Sequence, residues 1–453
     1  MIYNKNHILL VTLQFLAVFL ITFFTMLQAQ FNVGSNRLFI YQNGDSLGLP
    51  YYSNLSLNEV HDDTKLAIVV LHGASRNADD YYDRMYAIVN GVGMDSTIII
   101  APQFLRTGDL DDHNLSEDVL YWTSTTNWTA GYTSGNTSDH NRPFTISSYS
   151  IMDTLLYRLA MNNPILNQMV FVGFSAGGQF VNRYVGGNDV TERIFQEFNL
   201  SIRYIVGSPS SYLYMNDERR IQNTVDQFAV PSGCSGYNDY KYGLDDLNNY
   251  MSNAGSDSIR IRYSRREVIY LIGGSDDAGT TDCQSMAQGN HRYERSIIYF
   301  NYLQYYFSSE ILGRQQHAII PNIDHDSYNI FNSACGRKAL FGYGDCDQLD
   351  LLNVMDFEVL DNYKLIKNYP NPFNASTRID YQIPAKGTVK MVIHDLMGRI
   401  VKEIVIQNQL PGQNFIIWDG KDQFGTVVGS GIYLYQLIFN GRIMGKNKMI
   451  LLK

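Results

Sequence analysis

The segment with the clearest chemical potential in this 453-residue chain is Gly173-Phe174-Ser175-Ala176-Gly177-Gly178. It follows an apolar run, Met169 to Val172, and precedes a stretch that can be helical. Between a strand and a helix, a Gly-x-Ser-x-Gly pattern makes a sharp turn, because only small residues fit beside the serine. The serine hydroxyl then stands clear of the sheet edge. Ser175 is therefore predicted to be a nucleophile.

A serine nucleophile needs a base, and an acid that orients the base. His325 follows a short apolar run near the end of the first part of the chain, and it is the predicted base. Asp276, after another apolar run, is the predicted acid, with Asp277 as the second candidate and Asp282 as the third. The order Ser175, Asp276, His325 is one of the orders in which such triads occur.

Other histidines compete with His325 for the role of base. His72 belongs to a strand-to-helix loop and is predicted to be structural, while His291 and His317 flank helix-like segments. His113 and His140 lie in a polar insertion. The position of His325 after the last predicted strand favours it over these five.

Acyl-transfer chemistry also needs N–H donors for a developing oxyanion. The loop Leu71-His72-Gly73-Ala74-Ser75-Arg76-Asn77 follows a strong strand, and Gly73 allows the backbone to approach closely. The backbone N–H groups of Ala74 and Ala176 are the predicted donors. The alternative is that this loop is an ordinary strand-to-helix turn.

The elements that must position these residues alternate along the chain. Short apolar runs of the kind that form strands covered on both faces are separated by helix-compatible stretches such as 148–161 and 292–308. This alternation predicts an α/β fold with a mostly parallel sheet. Acidic and nucleophilic residues that follow such strands lie where α/β folds place their sites.

Two irregular segments interrupt the alternation, at 107–141 and 231–252. They contain Trp122, Trp128 and Tyr237, which we predict to line a substrate pocket, because long ordered loops are often functional. The alternative is that both are surface excursions held down by their aromatic side chains.

Composition and the N-terminus define the broad class of protein. Hydrophobic residues make up 45% of the chain, charged residues 17%, and the net charge is −9, which favours a packed globular protein and argues against a nucleic-acid partner. Lys5, the apolar run from Ile8 to Leu27 and the small residue Ala29 predict a signal peptide over residues 1–29. An uncleaved anchor is the alternative, and either one exports the rest of the chain.

Four cysteines, Cys234, Cys283, Cys335 and Cys346, favour two disulfides in an exported protein, against the alternative of buried free thiols. Cys335 and Cys346 could close a short loop, and Cys234 and Cys283 would then tie two longer ones together. Three pairings are possible, and the sequence does not choose among them. No pattern of cysteine and histidine suggests a metal, and no cofactor is expected.

The last hundred residues differ in character. Residues 347–362 are predicted to be a linker, and residues 363–453 contain short apolar runs separated by glycine, asparagine and proline. Several short strands at regular spacing predict a small all-β sandwich.

The first part resembles the α/β-hydrolase superfamily over residues 37–344, within a predicted catalytic domain at 30–346. Within that superfamily it is similar to secreted serine esterases of the polyhydroxybutyrate depolymerase and feruloyl esterase kind. The matching segments are His72-Gly73 with Arg76-Asn77, Ser175 to Phe180, Cys234 to Asp239, Cys283 with Ala287-Gln288-Gly289 and Arg292-Tyr293, and His325-Asp326. The resemblance implies an ester substrate, small or polymeric, and a disulfide between Cys234 and Cys283.

The last ninety residues resemble the type A C-terminal sorting domain of proteins exported by the type IX secretion system of Bacteroidota and their relatives. The matching segments are 368–374, 395–399, 418–420, 431–433 and the lysine-containing tail. The resemblance implies the secretion machinery as a partner and a secreted or cell-surface location. The predicted activity is thus carboxylic-ester hydrolysis through an acyl-enzyme, and the alternatives are a serine peptidase or a non-catalytic surface binding protein.

Overall fold

A computed structural model describes residues 31–311, 313–349, 364–383, 387–395, 399–410, 412–439 and 442–452. The predicted signal peptide and nearly all of the predicted linker lie outside these residues. The chain divides into two compact units between Leu352 and Asn353, and each is described by itself. Within the described residues, no helix is long and apolar enough to cross a membrane.

The first unit is built on an eight-stranded sheet with the order β1-β2-β4-β3-β5-β6-β9-β10. The strands β1 and β2 form an antiparallel hairpin, β2 pairs antiparallel with β4, and all later neighbours pair in parallel. The bounds are β1 Asn36–Gln42, β2 Asp45–Ser53, β3 Leu66–Leu71, β4 Thr97–Pro102, β5 Gln168–Phe174, β6 Ile202–Gly207, β9 Glu267–Gly273 and β10 Gln315–Ile320. A two-stranded ribbon is formed by β7 Arg219–Arg220 and β8 Phe228–Ala229.

Twelve α-helices accompany this sheet in the described part of the first unit. They are α1 Ala78–Gly91, α2 Thr107–Asp112, α3 Thr125–Thr129, α4 Ser148–Asn162, α5 Ala176–Gly187, α6 Val190–Phe198, α7 Asn249–Ala254, α8 Ser256–Arg265, α9 Cys283–Met286, α10 Arg292–Phe307, α11 Ser327–Asn332 and α12 Ala334–Phe341. A 3₁₀ turn covers Ser308–Ile311.

The central strands are buried on both faces, as their unbroken apolar sequences predict. In β3, Ala67 and Val69 belong to one hydrophobic cluster, while Ile68 and Val70 belong to another. Successive side chains of a strand point to opposite faces, so the two clusters are the two layers of core on either side of the sheet. The predicted α/β fold is confirmed.

The parallel strands place the predicted site at one edge. Ser175 follows β5, Asp276 lies shortly after β9, and His325 lies shortly after β10. Because β5, β6, β9 and β10 run in the same direction, their carboxyl ends meet at that edge of the sheet.

The second unit contains only strands among its described residues. The three-stranded antiparallel sheet β11-β12-β15 and the four-stranded antiparallel sheet β14-β13-β16-β17 contribute to a single hydrophobic cluster. The bounds are β11 Lys364–Tyr369, β12 Thr377–Ile383, β13 Gly387–His394, β14 Ile400–Gln409, β15 Gly412–Trp418, β16 Gly431–Phe439 and β17 Arg442–Leu451. Two antiparallel sheets around one core form a β-sandwich, so this part of the predicted fold is also confirmed.

Candidate active site

The turn between β5 and α5 holds Ser175 in an unusual backbone conformation. Its φ is 57°, in the left-handed region that non-glycine residues seldom adopt. The Ser175 N–H donates to the carbonyl oxygen of Gly207 (2.9 Å), which ties the turn to the neighbouring strand β6. The Ser175 side chain is partly exposed and does not cap α5, so its hydroxyl is not committed to the helix. Strain of this kind is often found at functional residues.

Three glycines make this turn possible. A Cβ on Gly173 would lie 2.2 Å from the carbonyl oxygen of Gly177, and one on Gly177 would lie 2.5 Å from a carbonyl oxygen of β3. A Cβ on Gly178 would lie 2.4 Å from the carbonyl oxygen at the end of β6. All three contacts are with backbone, which cannot move aside as a flexible side chain can. The glycines therefore let α5 begin in direct contact with the sheet.

The imidazole of His325 contacts the carboxylate of Asp276. The distance between His325 Nδ1 and Asp276 Oδ2 is 2.7 Å, and Asp276 is 2% exposed. The other carboxylate oxygen, Oδ1, accepts from Nη1 of Arg292 at 3.2 Å, and Arg292 Nε donates to Ser210 Oγ. Asp277 is exposed to solvent, and no described contact joins it to His325. Of the two adjacent aspartates, the structure therefore places Asp276 against His325, the predicted base.

His325 also lies beside the turn that holds Ser175. Its ring centroid is 4.7 Å from that of Phe174, the residue immediately before Ser175. The loops that follow β9 and β10 are joined by a backbone hydrogen bond from Ser275 to Ile323 (2.9 Å). The serine, the histidine and the aspartate thus occupy one edge of the sheet.

The loop after β3 approaches the same turn. A Cβ on Gly73 would lie 3.7 Å from the Cβ of Ser175 and 3.2 Å from the hydroxyl of Tyr81. Ala74, the next residue, is exposed, and Ala176 begins α5. The first N–H groups of a helix have no partner within the helix, so the Ala176 N–H is suited to bind an oxyanion.

His72 fixes this loop through two hydrogen bonds. Its Nε2 accepts from the N–H of Phe104 (2.9 Å), so the proton must be on Nδ1, which donates to the carbonyl oxygen of Gly73 (2.8 Å). The ring is completely buried, and burial lowers the pKa of His72 from 6.5 to about 4. A neutral His72 is required for this pair of bonds. Its structural role agrees with the sequence prediction.

No described hydrogen bond or ion pair joins the four other candidate histidines to Ser175 or Asp276. His291 caps α10 by accepting from the Glu294 N–H, and His317 on β10 contacts Ser296 Oγ at 3.0 Å. His140 pairs with a carboxylate at 3.5 Å, and the ring of His113 packs on Phe31.

The structure corrects the predicted pocket residues. Trp122 and Trp128 are completely buried in the core, where the Trp128 ring stacks on Phe104 with centroids 5.3 Å apart. The indole N–H of Trp122 donates to the backbone at Tyr132. With no accessible surface, neither tryptophan can contact a substrate in this conformation. Their aromatic rings anchor the irregular segment instead, while Tyr237 is only partly buried.

Both disulfides are present. Cys234 is bonded to Cys283, and Cys335 is bonded to Cys346. The first bond ties the irregular segment at 231–252 to the start of α9. The third candidate acid, Asp282, caps α9 by accepting from the Ser285 N–H at 2.9 Å.

Sequence reasoning missed the partner of the acid. Arg292 entered only as part of a resemblance, although its guanidinium shares the carboxylate of Asp276 with His325. In the sequence, Arg292 was marked only by its position at the start of a helix that follows β9. Many arginines occupy such positions, so this position alone does not predict a contact with Asp276.

Comparisons with known proteins leave the family open. No family model matches the chain, and no curated protein matches it. Among solved structures it is similar to a poly(3-hydroxybutyrate) depolymerase from Bordetella parapertussis, with 19% identity, a TM-score of 0.45, and coverage of 70% of this chain and 93% of that one. It is also similar to a poly(aspartic acid) hydrolase-1 from Sphingomonas sp. KT-1, with 18% identity, a TM-score of 0.42, and coverage of 66% of this chain and 95% of that one. A siderophore hydrolase from Aspergillus nidulans has 10% identity and a TM-score of 0.35, with coverage of 69% of this chain and 95% of that one. These likenesses are too distant to decide the substrate.

Proposed function

We propose that this protein is a serine hydrolase that cleaves carboxylic esters through a Ser175-His325-Asp276 triad. The observation behind the proposal is the 2.7 Å contact between His325 Nδ1 and Asp276 Oδ2, beside a strained turn that presents Ser175. A buried carboxylate on Nδ1 leaves Nε2 of the imidazole as the atom that can accept the serine proton.

The reaction proceeds by two acyl transfers. Ser175 attacks the ester carbonyl while His325 Nε2 takes the hydroxyl proton, and Asp276 stabilises the imidazolium that forms. The backbone N–H groups of Ala74 and Ala176 bind the oxyanion of the tetrahedral intermediate. His325 then gives its proton to the leaving alkoxide. Water, deprotonated by the same imidazole, attacks the acyl-enzyme, and the imidazolium returns its proton to the Ser175 oxygen as the acyl group is released.

Arg292 has a positioning role in this proposal. Its ion pair with one oxygen of Asp276 directs the other oxygen toward His325, and Ser210 orients the guanidinium in turn. A carboxylate fixed at both oxygens keeps the imidazole in one orientation, which lowers the entropy lost on reaching the transition state.

The test is release of para-nitrophenol from esters of increasing acyl length by the purified full chain. We expect Ser175→Ala to lower kcat by about 10⁴-fold or more, as removal of a triad nucleophile does in other enzymes. Ser138→Ala, which alters an exposed serine, is the matched control and should be as active as the wild type. A fluorophosphonate probe should label the wild type at Ser175.

Three outcomes would reject the proposal or its assigned mechanism. Cleavage of peptide amides with no turnover of esters would indicate a serine peptidase. Absence of both turnover and fluorophosphonate labelling would indicate a binding protein on this fold. Ester hydrolysis that survives Ser175→Ala would reject the assigned mechanism.

We also propose that the protein is exported, with residues 1–29 as the signal peptide and residues 363–453 as a type IX sorting domain. The support comes from the sequence features described above and from two disulfides, which are stable in oxidising compartments. In the native host, the exported protein should begin at Gln30 by mass spectrometry. Removal of residues 363–453 should retain it inside the cell, and unchanged export of that truncated chain would reject the sorting role.

A further inference from the structure

Gln179 lies one helical turn beyond the nucleophile. Its N–H donates to the carbonyl oxygen of Ser175 (3.0 Å), and residues four apart share one face of a helix. Gln179 and Ser175 are both partly exposed, while the three residues between them are buried. The Gln179 side chain therefore belongs to the accessible face that carries Ser175.

The orientation of the Gln179 amide follows from its partners. Oε1 accepts from Nη2 of Arg183 (2.9 Å) and from Oγ of Ser211 (3.2 Å). A guanidinium can only donate, so the atom that faces Arg183 must be the oxygen. The Nε2 group, with two N–H donors, has no partner among the described residues. It is a fixed donor on an accessible face beside Ser175.

Arg183 brings a positive charge to this region, and no described carboxylate forms an ion pair with it. It is completely buried, and its acceptors are neutral: the backbone at Thr129 and Lys241, and the side chains of Thr129, Ser211 and Gln179. A buried charge without a counter-ion is costly, so a site beside it favours an anion.

Lys241 adds a second cation. Its ammonium donates to Thr126 Oγ1 (3.2 Å), and no described carboxylate pairs with it. Burial and then the charge of Arg183 lower the pKa of Lys241 to about 8, against an opposing effect of Asp282. Asp282 itself is occupied by Ser285 and Tyr242. Two cations, Arg183 and Lys241, therefore lie near one carboxylate, that of Asp282.

We propose that Gln179 determines specificity by donating from Nε2 to a carboxylate oxygen of the substrate. The preferred substrates are then esters whose acyl part carries a free carboxylate a few carbon atoms from the scissile carbonyl, because Gln179 and Ser175 are one helical turn apart. Arg183 fixes and polarises the amide, and the positive surroundings select an ionised group over a neutral one. This inference rests on the proposed ester hydrolysis.

The experiment compares two substrates that differ only in charge, para-nitrophenyl hydrogen adipate and its methyl-capped ester, para-nitrophenyl methyl adipate. The readout is the ratio of kcat/KM for the two, corrected for spontaneous hydrolysis. We expect a ratio of about 10 or more for the wild type, the effect of one charge-assisted hydrogen bond. In Gln179→Glu the ratio should fall at least tenfold, because that carboxylate still accepts from Arg183 but can no longer donate.

Two further variants complete the design. Gln196→Glu places the same charge change on an exposed glutamine of α6, and its ratio should equal that of the wild type. Gln179→Met removes the donor without adding charge and should also lower the ratio. If Gln179→Glu folds poorly, Gln179→Met alone tests the inference. A wild-type ratio near 1, or a ratio unchanged in both Gln179 variants, overturns the inference while ester hydrolysis stands. Release of para-nitrophenol from neither ester overturns the proposed function and this inference with it.

Discussion

Replacing His72 by glutamine should change how the stability of the first unit depends on pH. In the folded protein the pKa of His72 lies at about 4, because the ring is buried, against 6.5 for an exposed histidine. Above pH 6.5 the ring is neutral in both states. As the pH falls from 6.5 to 4, the unfolded chain takes up the proton first, so the free energy of unfolding decreases.

The size of this effect follows from the two pKa values. Each pH unit between them removes about 1.4 kcal/mol, so about 3 kcal/mol of stability is lost between pH 6.5 and pH 4. Protonation of His72 also breaks a hydrogen bond in the folded protein. A charged His72 carries a proton on Nε2, which would then face the N–H of Phe104 instead of accepting from it.

Glutamine offers one acceptor and one donor group, as neutral His72 does, but it does not titrate. We therefore expect the stability advantage of the wild type over His72→Gln to shrink by about 3 kcal/mol between pH 7 and pH 4. The assay is urea denaturation followed by the helical circular-dichroism signal, since every described helix lies in the first unit. Other titrating groups act equally on both proteins and cancel in the difference.

A further control replaces His61, a partly exposed histidine, by glutamine, and shows what loss of an imidazole at the surface does by itself. The reasoning would be refuted by a difference between wild type and His72→Gln that stays constant from pH 7 to pH 4. The proposed oxyanion donor at Ala74 lies in the same loop, next to the Gly73 carbonyl that His72 holds, so ester hydrolysis at low pH should be less impaired in His72→Gln than in the wild type.

Three other predictions concern neighbouring parts of the first unit. Arg292→Met should lower kcat by about 10- to 100-fold with little change in KM, because the triad acid loses its second anchor; equal kinetics in variant and wild type would contradict this. Gly177→Ala should destabilise the protein by about 3 kcal/mol, measured by urea denaturation, because the added methyl group would lie 2.5 Å from a backbone oxygen of β3. Asp153 is partly buried against the hydroxyls of Tyr184 and Tyr250, and loss of solvation raises its pKa to about 6, so its contribution to stability is full below pH 3.8 and is lost as the pH rises through 6. The stability of Asp153→Asn relative to wild type should therefore rise by about 3 kcal/mol from pH 4 to pH 7, and a constant difference would contradict it.

The central strands were the most predictable part of this fold. Leu66 to Leu71 is an unbroken apolar run and corresponds residue for residue to β3, because both faces of that strand are covered by core. The hairpin of β1 and β2 was not predicted. It lies at one side of the sheet, and β1 mixes exposed and buried positions without a clean alternation.

The candidate site was predictable where it follows from strand ends and less so where it depends on side-chain contacts. Ser175, Asp276 and His325 each come after a strand, so the topology alone brings them to one edge. The contact of Arg292 with Asp276 depends on how the start of α10 returns to that edge, which local sequence does not encode. Trp122 and Trp128 show the opposite difficulty, since an aromatic anchor and an aromatic pocket wall have the same sequence signature.

The close backbone packing of the turn that holds Ser175 limits which positions near the candidate site can be changed. Gly173, Gly177 and Gly178 have no room for even one carbon atom, so randomised libraries that include them would consist largely of misfolded clones. Diversity is better introduced at Gln179 and at Tyr237, where side chains reach solvent. Selection for new substrates can then change the accessible side chains at Gln179 and Tyr237, while the three glycines and the backbone that they allow stay unchanged.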